Sequence, residues 1–142
     1  MDAILAAIEA SALGQAARGG AWLYAIANTG HVIGVALLVG GIAVHDVALI
    51  RRGRSPETGA VAVPLALLGA VLAVATGVVL FAADATAVGR NWMFWWKAGL
   101  IALGAANAAL FRIRPLWTRA QAAASLLFWL GATAAGRMIA YV

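Results

Sequence analysis

Residues 30–46 read GHVIGVALLVGGIAVHD, a run with His31 near one end, His45 and Asp46 at the other, and only apolar side chains and glycine between them. It lies inside a longer apolar stretch, Ala21 to Ile50, which exceeds the roughly 20 residues that cross a hydrocarbon core as a helix. Lipid offers the backbone no hydrogen-bond partners, so such a segment must close its own bonds, and the alternating pattern of a barrel strand is absent. On a helix, steps of three and four place His31, Gly34, Leu38, Gly41 and His45 on one stripe, with the two imidazoles about 21 Å apart along the axis. The two histidines are two heptads apart, so at a left-handed crossing both hold the same seam position.

The rest of the chain repeats the pattern. Hydrophobic residues make up 65% of the 142 and charged residues 11%, with a mean hydropathy of +0.95, which selects an integral membrane protein. Three further apolar runs of spanning length follow, Ala60 to Ala83, Trp92 to Phe111 and Leu116 to Ala140. Short links between four spans predict an all-α, four-helix membrane bundle forming a single domain over residues 1–142. Before the first span, Ile4, Leu5, Ile8 and Leu13 fall at helical spacing and predict a short interfacial helix over about residues 3–17. Asp2 and Glu9 argue against a cleaved signal peptide there. Trp22, Tyr24 and the cluster NWMFWW (Asn91 to Trp96) read as an aromatic belt, and Pro64 is placed in the first turn of the second span. Glycine and alanine recur in every span. They serve close helix contact or room for a flat cofactor, and the sequence leaves both uses open.

A net charge of +5 would point to nucleic acid in a soluble chain, but here the basic residues cluster at span ends and no nucleic-acid partner is expected. Arg51, Arg52 and Arg54, with Arg112, Arg114 and Arg119, mark the first and third loops; Arg18, Arg90, Lys97 and Arg137 are spread over the other side. By the positive-inside rule the two loops are cytoplasmic and both termini outside. The absence of cysteine excludes disulfides, thiolate metal sites and iron–sulfur clusters. No serine or cysteine nucleophile shares a depth with a histidine and a carboxylate, which argues against hydrolysis. The seam between the histidines offers no group that would relay a proton.

Three uses of the histidine pair fit the residues. As haem ligands, His31 in the outer half and His45 in the inner half would each offer an imidazole, with Gly34 and Gly41 clearing room on the same face beside Leu38. Arg51 and Arg52 on the inner side and Arg137 on the outer side would meet propionates, although topology alone also accounts for them. As polar glue, the histidines would bond to Thr29, Thr76, Asn107 or Ser125, a contribution of about 0.6–2 kcal/mol per bond. As a copper site, His31 would join Met93 or Met138. Asp46 points about 100° away from His45 around the helix and is expected to pair with Arg51 or a third-loop arginine, and Arg137 with Asp84 or a propionate.

The spacing His-x13-His resembles one helix of the diheme cytochrome b family, in which two helices each carry such a pair. A single helix of this kind leaves each iron short of a ligand, so the resemblance implies a homodimer with His31 facing its symmetry mate, His45 facing its own, and two b-type haems on the axis. His31 in HVIGVALLVGG, Asp46 with Leu49, Lys97 after the tryptophans, Asn107, and Ser125, Trp129 and Gly136-Arg137 through Tyr141 also look like small bacterial four-helix membrane proteins related to CopD-type and cytochrome b561-like domains. That resemblance implies the bacterial inner membrane. It also implies either electron transfer by b-type haem, with a quinone or a redox protein as partner, or copper handling. Three scattered methionines and no cysteine weigh against copper. The expected role is an electron-transfer protein or subunit rather than a complete enzyme, with a copper protein or a cofactor-free scaffold as alternatives.

Overall fold

A computed structural model describes every residue except 21, 54, 55 and 114–117. Ala21 and Leu116, the expected starts of two spans, and the loop arginines Arg54 and Arg114 lie outside the described residues. The described chain is helical throughout: α1 (Asp2–Glu9), α2 (Ala12–Gly19), α3 (Leu23–Arg52), α4 (Pro56–Ala83), α5 (Ala85–Arg90), α6 (Trp92–Ile113) and α7 (Thr118–Met138). Three of these, α3, α4 and α6, are long and apolar enough to cross a membrane. The 21-residue α7 has the length, but Arg119, Gln121, Ser125, Thr133 and Arg137 lower its apolarity.

Packing inverts the pattern of a water-soluble core. The buried positions are small, among them Ala62, Ala66, Ala73, Ala122 and Ala132, while Val32, Val44, Leu67, Leu68, Val71 and Val74 face outward. Lipid gives apolar side chains nothing to flee from, so close backbone approach rather than burial of bulk holds such helices together. Between α3 and α4 the approach is tight: a Cβ on Gly41 would stand 2.7 Å from the Ala62 carbonyl oxygen, and one on Gly69 would collide with the Leu38 amide. Helix α3 also packs on α7. Helix α6 packs on α7 and α5, with the Trp129 indole so near Gly104 that a Cβ there would stand 2.9 Å from it, and its backbone approaches neither α3 nor α4.

The N-terminal segment is two helices rather than one. Ser11 breaks them apart, its hydroxyl donating to the Ile8 carbonyl at 2.6 Å and accepting from the Gly14 amide at 3.2 Å as the N-cap of α2. These helices also pack inward instead of lying alone at an interface. Leu5 is buried against Gly89 of α5, and Gly14 passes so near Ala82 that a Cβ would stand 2.7 Å from its carbonyl oxygen. Glu9 ties the cap together, accepting from the Thr86 amide at 2.9 Å and pairing with Arg18 at 2.6 Å. Hydrogen bonds from Thr86, then the Arg18 charge, hold the Glu9 carboxyl below its ordinary range.

Two boundaries differ from expectation. Helix α4 begins at Pro56, whose missing amide hydrogen costs nothing at a first helical position, so Pro64 lies about two turns inside the helix rather than in its first turn. Helix α5 fills what reads as a simple link. At the same end, Asn91 caps α6 through the Met93 amide at 2.9 Å and donates to the carbonyls of Ile139 and Val142 at 3.1 and 2.8 Å. The starts of α3 and α6 and the ends of α4 and α7 thus share the capped end, where Trp22, Trp92, Trp95 and Trp96 are exposed. Arg51, Arg52, Arg112 and Arg119 gather at the opposite end.

Candidate functional site

His31 leaves α3 toward α4. Its Nδ1 lies 2.9 Å from the Ala73 carbonyl oxygen and 3.3 Å from the Thr76 hydroxyl, which itself donates to the Leu72 carbonyl at 2.6 Å. A carbonyl only accepts, so Nδ1 carries the proton and the neutral ring presents a lone pair on Nε2. Nε2 has no hydrogen-bond partner among the described residues. The ring reaches the carbonyl because α4 has Gly77 beneath it: a Cβ there would stand 3.2 Å from Cε1.

His45 repeats the arrangement without the bond. Its ring lies over Gly59, whose Cβ would stand 3.2 Å from Cε1, and meets the Phe111 ring of α6 edge-on at 6.4 Å. Its Nδ1 is buried with no partner among the described residues. The ring is therefore packed but not oriented by a hydrogen bond. Beside it in sequence, Asp46 is 5% exposed and lies near Ser125 of α7, and its Oδ2 has no hydrogen-bond partner among the described residues. Ser125, rather than Arg51 or an arginine of the third loop, is the residue beside this carboxyl.

The glycines that clear space for the imidazoles are Gly59 and Gly77 on α4. Gly34 and Gly41 serve helix contact instead: a Cβ on Gly34 would stand 2.6 Å from the Ala73 amide nitrogen. Leu38, on the same stripe, lies where Gly69 meets α3. The stripe expected to face a second copy is therefore covered within one chain by α4, and the four-histidine clamp on a dimer axis does not fit this packing.

The candidate cations divide. Arg51 and Arg52 are exposed in the last turn of α3, beyond His45. Arg137 is exposed too, and turns to Tyr141, donating to its hydroxyl at 2.7 Å with the guanidinium 5.1 Å from the ring centre, in place of Asp84. Lys97, a topological charge in the sequence, is half-buried on α6, with its side chain over Gly136 of α7. Asn107 donates to the Gln121 carbonyl at 3.0 Å and binds neither histidine. Met93 and Met138 sit at the capped tips of α6 and α7. Among the described residues, no three His, Cys, Asp or Glu side chains gather as a metal site.

Phe81 of α4 stacks on Phe94 of α6 at 5.2 Å, so the space between α6 and the α3–α4 pair is bridged by side chains, here at the capped end and by His45 with Phe111 toward the other. An apolar groove of about 420 Å³ lies elsewhere, along α6 between Trp92, Trp95, Trp96, Gly99, Leu100 and Leu103, and neither histidine lines it. Compared with protein-family models, curated proteins and solved structures, the chain matches none.

Proposed function

We propose that the chain is a four-span protein of the bacterial inner membrane, with the helical cap and both termini outside, that binds b-type haem through His31 and transfers electrons. The basic end formed by Arg51, Arg52, Arg112 and Arg119 supports this orientation. One observation carries the ligand assignment: the Ala73 carbonyl fixes the His31 proton on Nδ1 at 2.9 Å, which leaves Nε2 as a neutral, oriented donor. Backbone carbonyls play this part for imidazoles that bind metals, setting the tautomer and the ring direction. Bound there, haem supplies one-electron chemistry. The chain supplies the donor atom and the Gly77 clearance beneath the ring.

This reading assigns one ligand from one chain and gives His45 no equal part, because nothing orients its ring. A second reading, a cofactor-free subunit, draws on the same bond: His31 with Ala73 and Thr76 joins α3 to α4 as interhelical glue. Optical spectra of the protein purified in detergent, oxidised and then reduced, separate the two. A b-type haem spectrum, lost in His31→Ala and kept in His45→Ala with helicity unchanged by circular dichroism, is the expected result. A colourless wild-type protein that stays colourless when haem is added overturns the haem reading and leaves the subunit.

A further inference from the structure

Asp46 is the one carboxyl side chain buried among the described residues, and it lies within α3, a helix apolar enough to cross a membrane. Arg52 ends that helix about 9 Å further along. The other acids of the chain, Asp2, Glu9, Glu57 and Asp84, sit in the first or last turn of a helix or at its N-cap. A buried carboxylate needs a cation or several donors to offset its lost hydration. The structure gives Asp46 neither. The ion pairs among the described residues join Arg18 to Glu9 and Arg90 to Asp2, and the buried Oδ2 of Asp46 has no hydrogen-bond partner among them.

The helices packed on α3 are α2, α4 and α7, and their charged groups are engaged or point away. Arg18 holds Glu9, Glu57 is exposed in the first turn of α4, Arg119 is exposed at the start of α7, and Arg137 is exposed and bound to Tyr141. Arg112 of α6 is exposed as well. On α3 itself Arg51 and Arg52 are exposed, and His45 turns to Gly59 and Phe111. What lies near the carboxyl is Ser125 of α7, itself 8% exposed. A hydroxyl accepts a hydrogen bond as well as it gives one, so it suits an acid that carries its own proton. We infer that Asp46 is a proton-binding site inside the membrane, a carboxylic acid that stays neutral at pH 7 where α3 meets α7. Intramembrane acids of this kind take up and release protons in relays. The site is independent of the haem reading, which places its ligand at His31, about 22 Å away along α3.

Dicyclohexylcarbodiimide, an apolar reagent that enters membranes, tests the inference. A protonated carboxyl gives its proton to one carbodiimide nitrogen while the carboxyl oxygen bonds to the central carbon. Where water is excluded the acyl group then migrates to nitrogen and stays as a stable N-acylurea. An ordinary exposed carboxyl is protonated in only about one molecule in a thousand at pH 7. In the full-length protein in lipid vesicles at that pH, peptide mapping by mass spectrometry is expected to find Asp46 modified about a hundred times faster than the exposed Asp2. Asp46→Asn loses the adduct while circular dichroism shows an unchanged fold. Infrared spectra of protein labelled with carbon-13 at the aspartate carboxyls give a second reading on the wild type alone. A carboxylic-acid band at pH 7 is the expected result. Carboxylate bands with no acid band at pH 7 overturn the inference, whether or not the reagent reaches the site. Modification of Asp46 that sodium ions suppress at constant pH gives the site to a metal cation and overturns the proton. Each of these outcomes leaves the haem reading where it stood.

Discussion

A Cβ on Gly34 would stand 2.6 Å from the amide nitrogen of Ala73, the residue whose carbonyl receives the His31 proton. Helix contact and ring orientation therefore meet at one residue of α4. Replacing Gly34 with Leu forces backbone apart instead of bending a side chain, and is expected to destabilise by about 1–3 kcal/mol or more. Gly40→Ala, whose Cβ meets nothing within 4 Å, should be neutral or stabilise by up to about 1 kcal/mol as glycine gives way to a better helix former. Thermal unfolding in detergent compares the two, and equal midpoints would contradict the α3–α4 contact.

The proton on His31 is a direct target for spectroscopy. Nitrogen-15 NMR of labelled histidine should show Nδ1 protonated and Nε2 bare in the ligand-free protein. Thr76→Val leaves the Ala73 carbonyl in place and should keep that tautomer at a cost of about 0.5–1.5 kcal/mol, the net worth of one hydrogen bond. Gly77→Ala brings a methyl to 3.2 Å from Cε1 and should shift the ring resonances more than Thr76→Val does.

Asp46 and Ser125 join α3 to α7 by a buried polar contact. Ser125→Ala removes the hydroxyl beside a buried carboxyl and is expected to cost about 1–3 kcal/mol. Asp46→Asn keeps an acceptor for the serine and should cost less. Unfolding of the two variants side by side checks the order, and the reverse order would place the stabilisation elsewhere.

The cap has a pH limit set by Glu9. Hydrogen bonds from Thr86 lower its folded value below the ordinary 4.5, so the cap gains stability above that value and loses it as pH falls through the lowered one. Asp2, lowered from 3.8 by its hydrogen bond to Arg90, acts in the same direction at the same end. Protection of α1 and α2 against hydrogen exchange, taken relative to the intrinsic rate at each pH, is expected to fall below about pH 4.5 while α3 and α4 stay protected. Glu9→Gln should expose the cap already at neutral pH and flatten the acid step.

The helical class, the cores of the apolar spans and the shared stripe of His31 and His45 were legible because lipid enforces length and composition over many residues. The function of the glycines was not. Gly34, Gly41, Gly59 and Gly77 look alike in a sequence, and only the crossing of α3 over α4 decides which admit backbone and which admit an imidazole. The split at Ser11 and the short α5 rest on a few local hydrogen bonds in segments with little periodicity. Lys97 was hidden by the same ambiguity that affects every charge near a span end: topology explains it equally well until Gly136 fixes where its side chain lies.

Every contact that orients His31 comes from α3 and α4, consecutive helices joined by a short link and held face to face by Gly34, Gly41 and Gly69. Chains emerge and fold from the N-terminus during synthesis. The groups that seat the imidazole on Ala73 are therefore all in the bilayer once residue 83 has entered it, before Lys97 and the rest of α6 follow. Assembly is ordered in time as a result: the donor atom is set first, and the α6–α7 hairpin arrives afterwards to close over it.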